Sequence, residues 1–217
     1  MIATQDLEQG SQEWLMARVG KITASRIADL TARTKTGWSS YRETYLMELV
    51  CERLTGLPTK TFVTEAMKWG IEKEAEARSF YEEFCDTEVV QCGLVMHPDM
   101  DYAGASPDGL IGADGLLEIK CLTPANHVGI LTADKPPEKY IKQCMWQIAC
   151  THADYCDLMF YDPRMPDDSV VKIFTIPRSD SYIMELESQV EAFNDLVNER
   201  IGQCSVPPNS IRTFLEF

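Results

Sequence analysis

Residues 106–121 read Ser106-Pro-Asp108-Gly-Leu-Ile-Gly-Ala-Asp-Gly-Leu-Leu-Glu118-Ile-Lys120-Cys121. Asp108 stands before Gly109 at the end of an apolar run. Gly112-Ala113-Asp114-Gly115 reads as a turn, because glycine and aspartate tolerate positive φ. Leu116 to Cys121 then reads as a short strand. Strand side chains alternate, so Glu118 and Lys120 share one face and Leu117, Ile119 and Cys121 the other. A hairpin here would set Asp108 beside Glu118 and Lys120. Two carboxylates and an ammonium on a strand otherwise fit for burial need compensation, since unpaired buried charge is costly. A divalent cation supplies it. Hard oxygen ligands suit Mg²⁺, which takes one or two carboxylates and fills its shell with water and substrate phosphate. The plain alternative is an exposed ion pair between Glu118 and Lys120.

Upstream, Ser11 to Arg18 reads as a short helix carrying Trp14 and Leu15, broken by Gly20. A second helix is expected from Ala24 to about Ala32, with Thr23 as its N-cap. Helix N-termini bind anions, so Arg18, Thr23 and Ser25 are candidates for a phosphate pocket; ordinary capping beside a surface arginine is the alternative. Residues 33–39 read as a basic, flexible loop. Arg33 and Lys35 could touch phosphate and Trp38 could stack on a base, unless the loop is simply solvated. Ser40-Tyr-Arg-Glu43 is a capping-box pattern opening a core helix that Gly56 ends.

A long helix is expected over Thr64 to about Phe84. Ile71, Ala77 and Tyr81 mark its inner face. Glu74 falls on that face as a candidate third carboxylate, while Glu72, Glu76 and Glu83 read as solvated. Glu88 to Met96 reads as a strand. Residues 122–137 read as a long link, followed by a helix to about Thr151. That helix carries Tyr140, Gln143 and Gln147 on one stripe and Ile141, Met145 and Ile148 on another. An amide facing the site can orient water or hold phosphate; a solvent-facing glutamine is the alternative. Tyr155–Tyr161 and Val170–Ile176 read as paired strands. Ser181–Ile201 reads as an amphipathic helix ended by Gly202, and residues 203–217 as a tail with an apolar finish.

The chain has 217 residues and a formal net charge of −14. That length suits one large domain spanning 1–217, or a domain with a small appendage. The acidity argues against a chain that coats nucleic acid, but a basic cleft depends on local charge and not on the total. No apolar run reaches 18 residues, and the N-terminus lacks a basic and an apolar signal region. A cytoplasmic protein with no membrane contact is therefore expected. Its eight cysteines contain no C-x-x-C pair and read as reduced core residues.

Five blocks now fall in one order: Trp14-x-x-x-Arg18-x-Gly20-x-Ile-Thr-Ala-Ser25, Trp69-Gly70-x-x-x-Glu74-x-x-Ala77-Arg78, Ser106-Pro-Asp108-Gly-Leu110, Leu117-Glu118-Ile119-Lys120-Cys121, and Tyr140-x-x-Gln143. Tyr161-Asp162-Pro163-Arg164-Met165 follows. In these blocks the chain resembles the phage lambda exonuclease group, the YqaJ-type viral recombinases, within the PD-(D/E)xK nucleases. The resemblance spans about residues 11–200. It implies an α/β (α+β) fold with a restriction-endonuclease-like core, a mixed central β-sheet flanked by helices.

By the same resemblance, the activity would be Mg²⁺-dependent digestion of the 5′-ended strand at double-stranded DNA ends, releasing mononucleotides, with Mn²⁺ as a substitute ion. Asp108 and Glu118 would hold one or two ions, with the Ile119 carbonyl as a further ligand and Glu74 completing the acidic site. Lys120 would activate or orient water, assisted by Gln143. Arg18, Thr23 and Ser25 would take the 5′-phosphate, with Arg33, Lys35, Trp38 and Tyr140 as further DNA contacts. A ring-shaped homotrimer and a single-strand annealing protein as partner are implied too. The second glutamine of the Tyr140 block stands at Gln147, a departure from the pattern. The alternatives are a restriction- or resolvase-like endonuclease and a non-catalytic DNA-end-binding scaffold.

Overall fold

The structure, a computed structural model, describes residues 6–60 and 63–204. Helix α1 (Gln12–Ala17) starts at Ser11, whose hydroxyl accepts from the Trp14 N–H. Strand β1 (Ile22–Thr23), a 3₁₀ turn over Ala24–Arg26 and helix α2 (Ile27–Leu30) follow. The expected helix from Ala24 is thus split, and the Thr23 side chain makes no capping bond. The expected flexible loop is a small antiparallel hairpin, β2 (Arg33–Thr34) and β3 (Gly37–Trp38). Two threonines and a tryptophan favour extended backbone, and Gly37 permits the bend.

Helix α3 (Ser40–Thr55) is capped one residue earlier than the sequence pattern indicates. Ser39, not Ser40, accepts from the Tyr41 N–H, and Gly56 ends the helix at φ 68°. Helix α4 (Glu65–Cys85) is capped by Thr64. The expected strand over 88–96 is broken into β4 (Val89–Val90) and β5 (Val95–Met96), which join different sheets. Then come β6 (Ala103–Ala105), β7 (Gly109–Ile111) and β8 (Gly115–Lys120). The 122–137 link contains a helix, α5 (Pro124–Leu131), with Pro124 in its first turn. Helix α6 (Glu138–Thr151), β9 (Tyr155–Tyr161), β10 (Val171–Pro177) and α7 (Asp180–Cys204) complete the described chain. Helix α7 runs through Gly202, which the sequence reading takes as its stop. The apolar finish of the tail lies outside the described residues.

The main sheet has the order β10-β9-β8-β7-β4. Strands β8 and β9 are parallel and the other pairs antiparallel, so the sheet is mixed as expected. A second sheet, β1-β6-β5, lies beside it. One apolar cluster gathers Leu116, Leu158 and Phe160 from one face of the main sheet with Leu49, Trp146, Ile148 and Phe193 from α3, α6 and α7. The other gathers Leu117, Ile119 and Met159 from the opposite face with Ala77 and Tyr81 of α4. Burial on both faces offsets the entropy of ordering so short a strand as β8. Ile71 stands outside this packing and is exposed. Glu76 is not simply solvated, since it accepts from the Tyr161 hydroxyl at 3.0 Å.

All eight cysteines are free, and five are buried. No helix among the described residues is long and apolar enough to cross a membrane.

Candidate active site

Strand β8 sits between β7 and β9, and its alternation divides its chemistry. Leu117 and Ile119 face α4, while Glu118 and Lys120 lie on the face covered by α6. The turn before it holds Gly112 at φ 56°, a conformation that glycine adopts without strain. At the start of β7 a side chain on Gly109 would come within 2.0 Å of Val89 Cγ1. Only glycine lets β4 close on the hairpin beside Asp108.

The register pairs Gly109 with Leu117, which sets Asp108 opposite Glu118. Asp108 Oδ2 accepts from the Ile119 N–H at 2.6 Å. Burial pushes the Asp108 carboxyl well above the usual range; the charge of Glu118 adds to this and Lys120 opposes it. Glu118 is only 2% exposed. Its Oε1 accepts from Lys120 Nζ and from Gln143 Nε2, the latter at 2.6 Å, and its Oε2 from Gln147 Nε2 at 2.5 Å. Burial works against the charge on Lys120, but Glu118 and Asp108 outweigh it and hold the pKa above its ordinary value. Lys120 is therefore a cation as it stands.

Glu74, on α4, reaches the same cleft. Burial raises its carboxyl, Arg78 lowers it, and Glu118 raises it again. Arg78 donates from Nη2 to Glu74 Oε1 at 2.6 Å and from Nε to the Asp108 carbonyl at 3.2 Å. It thereby ties α4 to the hairpin. On the outer side of Glu74 and Arg78 lies a cavity of about 720 Å³, lined also by Trp14 and Gln91; Asp108, Glu118 and Lys120 do not line it.

Arg18 is in place at the mouth of the hairpin. Its guanidinium lies 4.1 Å from the Trp14 ring centroid and donates to Ser106 Oγ at 3.2 Å. Trp14 Nε1 donates to the same hydroxyl at 3.1 Å. Thr23 is buried and its backbone N–H is taken by the Tyr45 hydroxyl at 3.1 Å, while Ser25 is exposed. Among the described residues no hydrogen bond joins Arg18 to Thr23 or Ser25. Tyr140 is half-buried, with Lys139 Nζ 4.6 Å and Lys120 Nζ 5.4 Å from its ring centroid. Arg33 and Trp38 pack on each other in the β2–β3 hairpin, where Arg42 also meets the ring at 4.0 Å. Lys35 is exposed at the hairpin's turn.

Four contacts go beyond the sequence reading: Ser106 under Arg18, Arg78 on Glu74, Gln147 on Glu118, and Cys156 against Gln147. The i, i+4 spacing of Gln143 and Gln147 was a legible signal for one of them. Arg78 and Glu74 are likewise an i, i+4 pair on α4, while the other two depend on contacts across 88 and 9 residues of chain. Among the described residues no three His, Cys, Asp or Glu side chains converge as a ready-made metal cage. The ammonium and amide donors close on Glu118, and Arg78 engages Glu74.

The sequence pattern of the YqaJ-like viral recombinase domain matches residues 13–154. The chain belongs to that family. It is also similar to an alkaline exonuclease, LHK-Exo, from Laribacter hongkongensis. Identity is 41% over 89% of this chain and 96% of that one, with a TM-score of 0.83. A complex of LHK-Exo with dAMP matches with a TM-score of 0.84, the same identity and the same coverage. A phage-related exonuclease from Haemophilus somnus shares the fold at a TM-score of 0.69, with 13% identity over 85% of this chain and 96% of that one. An uncharacterised protein of Acanthamoeba polyphaga mimivirus is 30% identical over 70% of this chain. The chain spans 29% of the length of that curated relative.

Proposed function

We propose that the protein is a divalent-metal-dependent exonuclease acting on linear duplex DNA. It removes mononucleotides from the 5′-ended strand and leaves 3′ single-stranded overhangs. The observation that carries this reading is the convergence of Asp108, Glu118 and Lys120 on one hairpin. The 41% identity to an alkaline exonuclease supports it. So does the dAMP complex of that enzyme, since dAMP is a mononucleotide of the kind such a reaction would release.

The residues fit a hard cation. Asp108 and Glu118 stand opposite each other on the hairpin, Glu74 lies within electrostatic reach of both, and burial together with the Glu118 charge pushes the Asp108 carboxyl up. The donor set is oxygen, which suits Mg²⁺ or Mn²⁺. Asp108, Glu118, Glu74 and the Ile119 carbonyl would hold one or two ions. When bound, the metal would supply charge neutralisation at phosphorus and an acidified water.

The chain's own groups do the rest. Lys120, paired with Glu118, activates or orients the attacking water. Gln143 orients the same region through its amide. Arg18, held by Trp14 and Ser106, takes the 5′-phosphate and so sets polarity. Ser25, exposed on the neighbouring turn, is a lesser contributor, whereas Thr23 is buried with its amide taken by Tyr45; Tyr140 presents a ring to the strand. In the same reading the protein encircles DNA as a homotrimer and passes its overhang to a single-strand annealing protein; the resemblance to lambda exonuclease supports this.

The test is digestion of linear duplex labelled at either end, beside closed circular DNA, with Mg²⁺ or chelator. Expected is release of the 5′ label as mononucleotide, arrest by chelator, and intact circles. Nicking of the circles, or release from 3′ ends alone, would overturn the reading.

A further inference from the structure

Gln147 has no part in the reaction outlined above, yet it is a fully enclosed group at the site, with no exposed surface. Its two ends are both committed. Nε2 donates to Glu118 Oε2 at 2.5 Å, and Oε1 accepts from the Cys156 thiol at 3.8 Å. Cys156 is itself fully buried, and burial pushes its pKa up, so it keeps its proton to donate. Because the Glu118 carboxylate only accepts, it fixes the amide with Nε2 toward it, and the thiol meets the Oε1 end. Turning the amide over would set two acceptors against each other.

The two oxygens of Glu118 therefore differ. Oε2 is sealed on the interior side by a group that cannot move without opening the core. Oε1 is met by Lys120, whose side chain is 22% exposed, and by the half-buried Gln143. Those partners border the cleft and can yield to an ion. We infer that Gln147 is a positioning residue that leaves Glu118 a single oxygen for a divalent cation and thereby selects magnesium or manganese over calcium.

This inference rests on the metal-dependent reading of the site. The chemistry is one of denticity. Calcium takes six to eight oxygens and often both oxygens of one carboxylate, whereas Mg²⁺ keeps an octahedron with several waters. A carboxylate with one oxygen withheld suits the second ion better than the first.

The experiment is calorimetric titration of the metal-stripped full chain with MgCl₂ and with CaCl₂. It compares wild type, Gln147→Met, which keeps length without a donor, and Gln147→Asn, which keeps the amide one methylene short. Calcium affinity relative to magnesium is expected to rise about tenfold in both variants, the factor that one hydrogen bond to a charged group is worth. An unchanged ratio in either folded variant overturns the inference. Because both changes touch a buried group, wild type gives a second arm, a crystal structure in calcium. There, one Glu118 oxygen should meet the ion while the Gln147 amide stays on the other. Both oxygens on the ion would overturn the inference. Wild type that binds neither ion, or binding untouched by Glu118→Gln, would instead sink the metal reading and this inference with it, a result distinct from an unchanged ratio.

Discussion

Asp108 and Glu118 face each other across an antiparallel pair, where like charges repel. Burial and that repulsion raise the Asp108 pKa. The sign of the consequence follows from linkage. Between the unfolded carboxylate value, about 3.9, and the raised folded value, the native state binds the extra proton. Stability of the metal-free protein therefore falls as pH rises through the folded pKa. Thermal melts of chelated protein should show this slope, and Asp108→Asn should flatten it. The same substitution, or Glu118→Gln, should lower nuclease turnover by about a hundredfold or more, as loss of a preorganised electrostatic group does. Single-turnover digestion measures that. Arg18 offers a different outcome. With Arg18→Ala, metal binding should persist while the preference for 5′-phosphorylated over unphosphorylated ends disappears. Equal rates on the two ends in wild type would refute the pocket.

At the scale of elements, helix α6 carries the site against the sheet. Trp146 is fully buried and stacks on His97 with ring centroids 5.1 Å apart. Trp146→Ala should cost about 3–5 kcal/mol, the usual loss for a large core aromatic, read as a shift in a urea midpoint. Ser39→Ala should cost only about 1 kcal/mol, since it removes one cap of α3. Much of this architecture was legible. The turn residues Gly112 to Gly115 and the alternation of Leu117 to Lys120 fix the hairpin, and the helical period fixes α3, α4 and α6. What was not legible had local causes. Ser39 and Ser40 are chemically equal caps, and only the chain's path chooses between them. Residues 33–38 pair because Trp38 rests on Arg33 and on Arg42, which belongs to α3 and lies beyond a local reading. Helix α5 has no strong helical period, and its His127 and Ile130 are buried by tertiary packing. Thr23 looked like a cap because of its type, but Tyr45, 22 residues on, claims its amide.

At the scale of the whole molecule, a net charge of −14 makes general attraction to DNA poor, so binding must be confined to a basic cleft or enforced by enclosure. Topological confinement around the duplex would supply processivity without tight backbone contacts. Light scattering should then give three chains per particle, and long linear substrate should be consumed in runs that added competitor DNA does not interrupt. A monomer in solution, or digestion that stops at once on adding competitor, would contradict the enclosed arrangement. Strand β8 also has a bearing on how the molecule wears out. It is the third of five strands, hydrogen-bonded on both edges and packed on both faces. Its amides should be among the last to exchange with deuterated water, released only when the entire fold opens. Partial fraying at the periphery would leave Glu118 and Lys120 aligned. Mild denaturant should therefore abolish turnover and native fluorescence at one shared midpoint, with no inactive yet folded species between.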